Sequence, residues 1–175
     1  MIDLIMAVEP VRWLGDTIGF WVQTATIAIS AASAIWFGLI RAPEKQAMRS
    51  ATVDIIIDQS RDQGLINARQ IIREIRERQD ESLACFVKLT DSPVYKAILL
   101  VLNNYEFVAA GIRVKCWDER VYKRLRYSTA LRDWESLSEF VVAFRHAKGI
   151  PTLFQDFEWL YTRWKRSPLE PQKRD

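Results

Sequence analysis

The longest unbroken pattern in the chain is a charge-free one. From Gly19 to Ile40 no Asp, Glu, Lys or Arg occurs in 22 consecutive residues, and 15 of these are apolar. At about 1.5 Å per residue such a helix reaches roughly 33 Å, the thickness of a bilayer's hydrocarbon core. Its polar members Gln23, Thr24, Thr26, Ser30 and Ser33 are uncharged, and hydroxyls can bond back to helix carbonyls. Trp21 and Trp36 stand near the two ends, where an interfacial aromatic belt would put them. The pattern predicts one transmembrane helix over 19–40. A buried helix of a soluble core is the alternative, but core helices seldom run so far without a charge.

The flanks give this span a direction. Residues 1–18 carry Asp3, Glu9 and Asp16 against Arg12, whereas Arg41, Lys45 and Arg49 follow the span, opposed by Glu44. Lys and Arg resist translocation, so residues 1–18 are expected as an extracytoplasmic or interfacial segment and the C-terminal side as cytoplasmic. Ala32-Ser33-Ala34 resembles a signal-peptide cleavage site, but the preceding segment is net acidic and the apolar run continues beyond it. Thr24, Ala28, Ala31, Ile35 and Gly38 recur at steps of four and three, a seam that predicts association with a second copy.

After the span the period is helical throughout. Residues 44–63 lack Pro and Gly, and Gly64 breaks the run. Asn67 reads as the N-cap of a helix over 67–81, with Ile71, Ile72 and Ile75 inward. Its outer face pairs Arg73 with Glu77, Glu74 with Arg78 and Arg76 with Asp80 at i,i+4, which predicts a solvated face and not a binding strip. Ser92-Pro93 is a helix start, and Val94 to Ala110 is apolar nearly all round, with Gly111 relaxing the helix. Asp118 caps a helix to Tyr127, Ser128 starts another to His146, Gly149-Ile150-Pro151 ends it, and Thr152 caps the last. No alternating strand pattern appears. The fold class is all-α: one N-terminal transmembrane helix, a cytoplasmic multi-helix bundle over 41–166, and a polar tail over 167–175.

Composition adds exclusions. Lys and Arg number 25 against 22 Asp and Glu, a net charge of +3 that divides into −2 before the span and +5 after it. So small an excess makes nucleic acid an unlikely partner and carries orientation instead. One His and two Cys leave no multi-histidine or four-cysteine metal centre, and Cys85 and Cys116 read as reduced core thiols. No Gly-rich phosphate loop, G-x-S-x-G, H-E-x-x-H or C-x-x-C occurs. No cofactor and no enzyme chemistry are expected.

Two constellations remain as candidate sites. Asn103 and Glu106 lie i,i+3 on the most apolar helix, so the carboxylate needs a partner. Arg113, Arg132 and Arg145 qualify, and Arg145 is favoured because it follows a core run expected antiparallel to this helix. Such a group either fixes helix register or holds a ligand or protein partner. The second is the basic stretch Arg113, Lys115, Arg120, Lys123, Arg124 and Arg126, which suits solvated surface, lipid headgroups or nucleic acid.

These residues also carry a resemblance. Arg49-Ser50-Ala51-Thr52, the block placing Asn103, Glu106, Ala109 and Gly111, Asp118-Glu119, Trp134-Glu135, and Phe157-Glu158-Trp159-Leu160 with Arg163-Trp164 resemble the domain-of-unknown-function family four-seven-six-zero of bacteria and prophages, over about residues 20–165. The resemblance implies a membrane anchor with a helical domain, and no assigned activity. The expectation is a single-pass protein of the bacterial inner membrane, N-terminus out, probing the cytoplasm with a self-associating interaction or regulatory module. The alternative is an oligomeric effector of phage exclusion or defence that perturbs the membrane.

Overall fold

Short capping devices decide where the helices begin and end. The computed structural model describes residues 13–36, 42–77 and 82–170, and every regular element among them is helical. In chain order these are α1 (Trp13–Ile35), α2 (Ala42–Arg61), α3 (Gln63–Glu77), a 3-10 helix (Leu83–Lys88), α4 (Pro93–Arg113), α5 (Glu119–Lys148) and α6 (Gln155–Arg166). The chain divides into two compact units, Met1–Lys45 and Gln46–Asp175.

In the first unit α1 starts six residues before the charge-free stretch and its described side chains, from Val22 onward, are exposed. Among the described residues no helix is long and apolar enough to cross a membrane. The described part of the helix expected over 19–40 does not by itself meet that length and apolarity. Polar positions dilute the apolar run: Thr26 and Ser33 donate to the carbonyls of Val22 and Ile29 at 2.8 and 2.7 Å. Phe37 to Ile40, which would complete the span, lie outside the described residues.

In the second unit the Ser92 hydroxyl accepts the amide of Val94, Pro93 opens α4, and the Asp118 carboxylate accepts the amides of Arg120 and Val121. Gly149 closes α5 at φ 68°, a left-handed turn that glycine takes without penalty. Several boundaries differ from the sequence pattern: Gly64 lies inside α3 and does not break a helix, and Phe154, not Thr152, precedes α6 and gives no side-chain cap. Asp62, not Asn67, caps α3 by accepting the amide of Leu65 at 3.0 Å. Ser128 starts nothing: with no Gly or Pro between 119 and 148, α5 runs unbroken for 30 residues. Gly111 lies inside α4, where a Cβ would come within 1.9 Å of the Trp117 indole nitrogen; it makes room for a ring.

The core gathers around α4, which packs on α3, α5 and α6, while the 3-10 helix lies on α5. Ile98, Val101, Leu102, Tyr105 and Val108 are wholly buried, and Phe157, Leu160 and Trp164 of α6 complete the same layer. Tyr105 stacks on Phe157 at 4.3 Å between centroids, and Trp134 meets Phe157 edge-on at 5.0 Å. Each such ring contributes about 1.5–3 kcal/mol of burial, with roughly 0.5–1.5 kcal/mol more from pair geometry. Cys85 and Cys116 are exposed free thiols, not core residues, because Cys85 lies on the outer side of the 3-10 helix and Cys116 in the turn after α4.

Candidate functional site

The C-terminus of α4, the start of α5 and the whole of α6 meet at one end of the second unit. The geometry there begins with Glu106. Its half-buried carboxylate accepts the backbone amides of Asp156 and Phe157 at 3.2 and 2.8 Å. Phe154, which precedes α6 at φ 57°, offers no side-chain cap, so a residue from another helix satisfies the first turn. The negative group also faces the positive end of the α6 dipole. Burial raises the Glu106 pKa above the usual carboxylate value, and the two amides pull it back in part.

Glu106 therefore finds its partner in backbone and not in Arg145. Arg145 instead donates to the Leu153 carbonyl at 2.9 Å and to Glu158 at 2.8 Å, tying the end of α5 to the approach and first turns of α6. Asn103 is exposed, one helical step away from the apolar side that carries Glu106. The expected buried trio of Asn103, Glu106 and Arg145 thus separates into a tertiary helix cap, an ion pair and a surface amide.

A pocket of about 690 Å³ opens on the outer side of this cap. Trp159 stands in its wall with the guanidiniums of Arg113 and Arg163 at 5.5 and 5.7 Å from its ring. Arg113 also pairs with Asp156, and Arg163 with Glu119 at 2.8 Å, which raises the Arg163 pKa. Glu119 Oε1 accepts the Trp164 indole N–H at 3.1 Å as well. Lys123 donates to the Ser167 carbonyl. Arg113, Lys123, Arg163 and Arg166 outnumber Glu119 and Glu158 on the lining, so the pocket is cationic with one aromatic face. The chemistry of such a surface suits an anionic or planar group.

The six-residue basic stretch is not one patch. Arg113 and Lys123 line this pocket, whereas exposed Arg120 and Arg124 line a separate hollow with Arg49 and Asp118. Arg126 turns inward and donates to the Ile56 carbonyl at 3.2 Å, and Lys115 lies in the exposed turn after α4 at φ 64°. The seam residues Ala28, Ala31 and Ile35 are exposed on α1; Gly38 and the side chain of Thr24 lie outside the described residues. Sequence spacing passed over Trp159 and Glu119 as site residues, and their only sequence signal was an aromatic residue interleaved with the basic ending of α6. Among the described residues no group of His, Cys, Asp and Glu could hold a metal ion.

Comparison with known proteins adds one finding of family and none of mechanism. No curated protein and no solved structure matches the chain. A family model described as a domain of unknown function, DUF4760, matches residues 21–164, taking in α2 to α5 complete and nearly all of α6. The chain belongs to the DUF4760 family.

Proposed function

We propose that this protein is a membrane-anchored interaction module of the bacterial inner membrane, with its N-terminus outside and its second unit in the cytoplasm. It works by recognition and not by catalysis, and it associates with itself through the first helix. The observation that carries this reading is the surface of α1: Val22, Ile27 and Ile29 are 61%, 68% and 67% exposed, and Ile35 and Trp36 also face outward. An exposed apolar helix surface needs lipid or another copy of itself to leave water. The charge-free run and the basic residues Arg41, Lys45 and Arg49 beyond it support the anchor and its direction. The cationic pocket beside Trp159 supports a binding role for the second unit. Homo-association through Ala28, Ala31 and Ile35 is the part of the proposal that uses the spacing of small residues.

Alkaline extraction of membranes tests the anchor. The wild type is expected to stay in the pellet, and the Ile27→Asp, Ile29→Asp variant to be released. Exposed Cys85 and Cys116 report orientation: a membrane-impermeant maleimide should label them only after the cells are permeabilised. Release of the wild type by alkali, or labelling in intact cells, overturns the reading. In-membrane crosslinking of Ala28→Leu, Gly38→Leu against wild type tests the self-association. Rapid loss of membrane potential on induction would favour the effector instead.

A further inference from the structure

A second charged cleft lies away from the pocket at α6. On α3, Arg69, Ile72, Arg73 and Arg76 follow the i, i+3, i+4, i+7 spacing of one helix face. On α5, Thr129, Arg132, Asp133 and Ser136 follow the same spacing, and the two stripes line one narrow space of about 120 Å³. The lining therefore holds four guanidiniums and one carboxylate. The sequence pattern reads this face of α3 as neutralised by its own i,i+4 acids. Yet among the described residues neither Arg73 nor Arg132 has a carboxylate within ion-pair distance, although Glu77 stands one turn beyond Arg73.

Asp133 does not offset this charge in full, because it is already engaged. It accepts the Tyr105 hydroxyl at 2.8 Å and faces Arg69 Nε at 3.5 Å, an ion pair without a hydrogen bond. Arg69 is held from behind: one terminal nitrogen lies 3.5 Å from the Tyr105 oxygen, and its guanidinium stands 5.6 Å from that ring. Its Nε–H is buried with no acceptor among the described residues. Arg76 donates to Ser136 Oγ at 3.0 Å, and Ser136 in turn donates to the Arg132 carbonyl at 2.9 Å, which ties one end of the cleft together. Arg69 and Arg76 are thus positioned before any ligand arrives, and Arg73 and Arg132 are exposed beside them with no carboxylate partner among the described residues.

We propose that this cleft binds a phosphate group, as inorganic phosphate or as the monoester headgroup of a phosphatidic-acid type lipid. Planar guanidiniums present paired N–H donors that match the oxygens of a tetrahedral oxyanion. Four cations against one carboxylate suit a dianion better than a monocarboxylate. The size agrees: about 120 Å³ is the space of roughly four water molecules. That admits a phosphoryl group. The proposal is independent of the anchor, since every residue it uses lies in the second unit.

The test titrates the full-length chain, in detergent, with inorganic phosphate against sodium chloride at matched ionic strength, and follows thermal unfolding and the phosphorus NMR signal. The wild type is expected to bind saturably. Arg73→Gln with Arg132→Gln should weaken binding at least about tenfold, since one lost charged hydrogen bond is already worth roughly that factor. Lys88→Gln, an exposed cation on the 3-10 helix, should stay within about twofold of wild type, a change worth no more than a few tenths of a kcal/mol. Circular dichroism checks folding, and the two single variants replace the pair if it misfolds. Flotation with phosphatidylcholine vesicles, with and without phosphatidic acid, separates the sources. A phosphatidic-acid preference lost in the variant and competed by phosphate assigns the lipid headgroup; phosphate binding without that preference assigns free phosphate. Two results overturn the proposal: phosphate acting no differently from chloride with vesicle binding equal in wild type and variant, or a mixed-sequence oligonucleotide binding through these arginines while phosphate and phosphatidic acid do not.

Discussion

The carboxylate of Glu106 on α4 accepts the backbone N–H of Phe157, 51 residues further along the chain, at 2.8 Å. With the Asp156 amide on its other oxygen, it closes the first turn of α6 in place of a local cap. The trajectory of α6, and so the wall of the Trp159 pocket, depends on this contact.

Glu106→Ala leaves both amides without an acceptor and is expected to cost about 1–3 kcal/mol. Glu106→Gln keeps one acceptor and should cost less. The pH dependence has a definite sign. Burial raises the folded-state pKa above the ordinary 4.5, so the folded chain holds this proton more tightly. That contribution is complete below the unfolded pKa and is lost as pH rises through the folded one. The stability of wild type relative to Glu106→Gln should therefore fall as pH rises above 4.5. Urea unfolding across that range reads it, and a difference that grows with pH contradicts the assignment.

Gly111 is tight for a reason of packing. A Cβ there meets the Trp117 ring at 1.9 Å from Nε1 and 2.1 Å from Cδ1, and the ring also lies 6.0 Å from Phe107. A rigid indole cannot yield by rotating a terminal atom, so Gly111→Ala should displace it at a cost of about 1–3 kcal/mol. A lower melting temperature together with a changed near-ultraviolet circular dichroism spectrum is the expected pair of observations. An unchanged spectrum would mean that the ring does not fill this space.

Thr52 links α2 to the start of α5. It is fully buried, its Oγ1 accepts the Asp118 amide at 2.8 Å, and its hydroxyl donates to the Met48 carbonyl at 2.7 Å. Thr52→Val keeps the shape but orphans that amide, and about 1–3 kcal/mol should be lost. Thr52→Ser should recover most of it. Burial works against ionisation of Asp118, but the Val121 amide, Arg49 and the Arg120 amide outweigh it and lower its pKa below 3.8. Its contribution is present above that value and disappears as pH falls through the folded one, so Asp118→Asn should flatten the acid limb of a stability profile.

The helical class and several ends were legible because they are local. Ser92-Pro93, Asp118 and Gly149 each satisfy backbone groups within a few residues, and spacing alone reveals that. The unbroken α5 was not, since Ser128 resembles a cap and only an uninterrupted helix on both sides denies it. The need of Glu106 for a partner was legible; the partner was not, because backbone amides have no letter of their own. The arginine cleft requires the relative register of α3 and α5, which no single helical period contains. Trp159 gained its meaning only when Arg113, 46 residues earlier, was placed beside it.

Tyr122 provides a test at the alkaline end. It is fully buried and donates to Gln59 Oε1 at 3.3 Å, while Gln59 Nε2 is itself buried without an acceptor among the described residues. Burial pushes its pKa up to about 12 from 10.0, against the opposing fields of Arg126 and Arg69. Burial likewise raises Tyr105, with the charge of Asp133 acting in the same direction. A raised folded-state pKa means that the folded chain keeps the proton while the unfolded chain releases it. The resulting stability is complete below pH 10 and is lost as pH rises through about 12. Tyr122→Phe has no proton to lose, but it leaves Gln59 with neither polar atom paired, at a cost of about 1–3 kcal/mol near neutrality. The advantage of wild type over Tyr122→Phe should therefore shrink as pH rises from 10 toward 12, read by urea unfolding. Tyrosinate absorbance should show a late component that the variant diminishes. If that component is unchanged in Tyr122→Phe, the buried hydroxyl is not the group that titrates late.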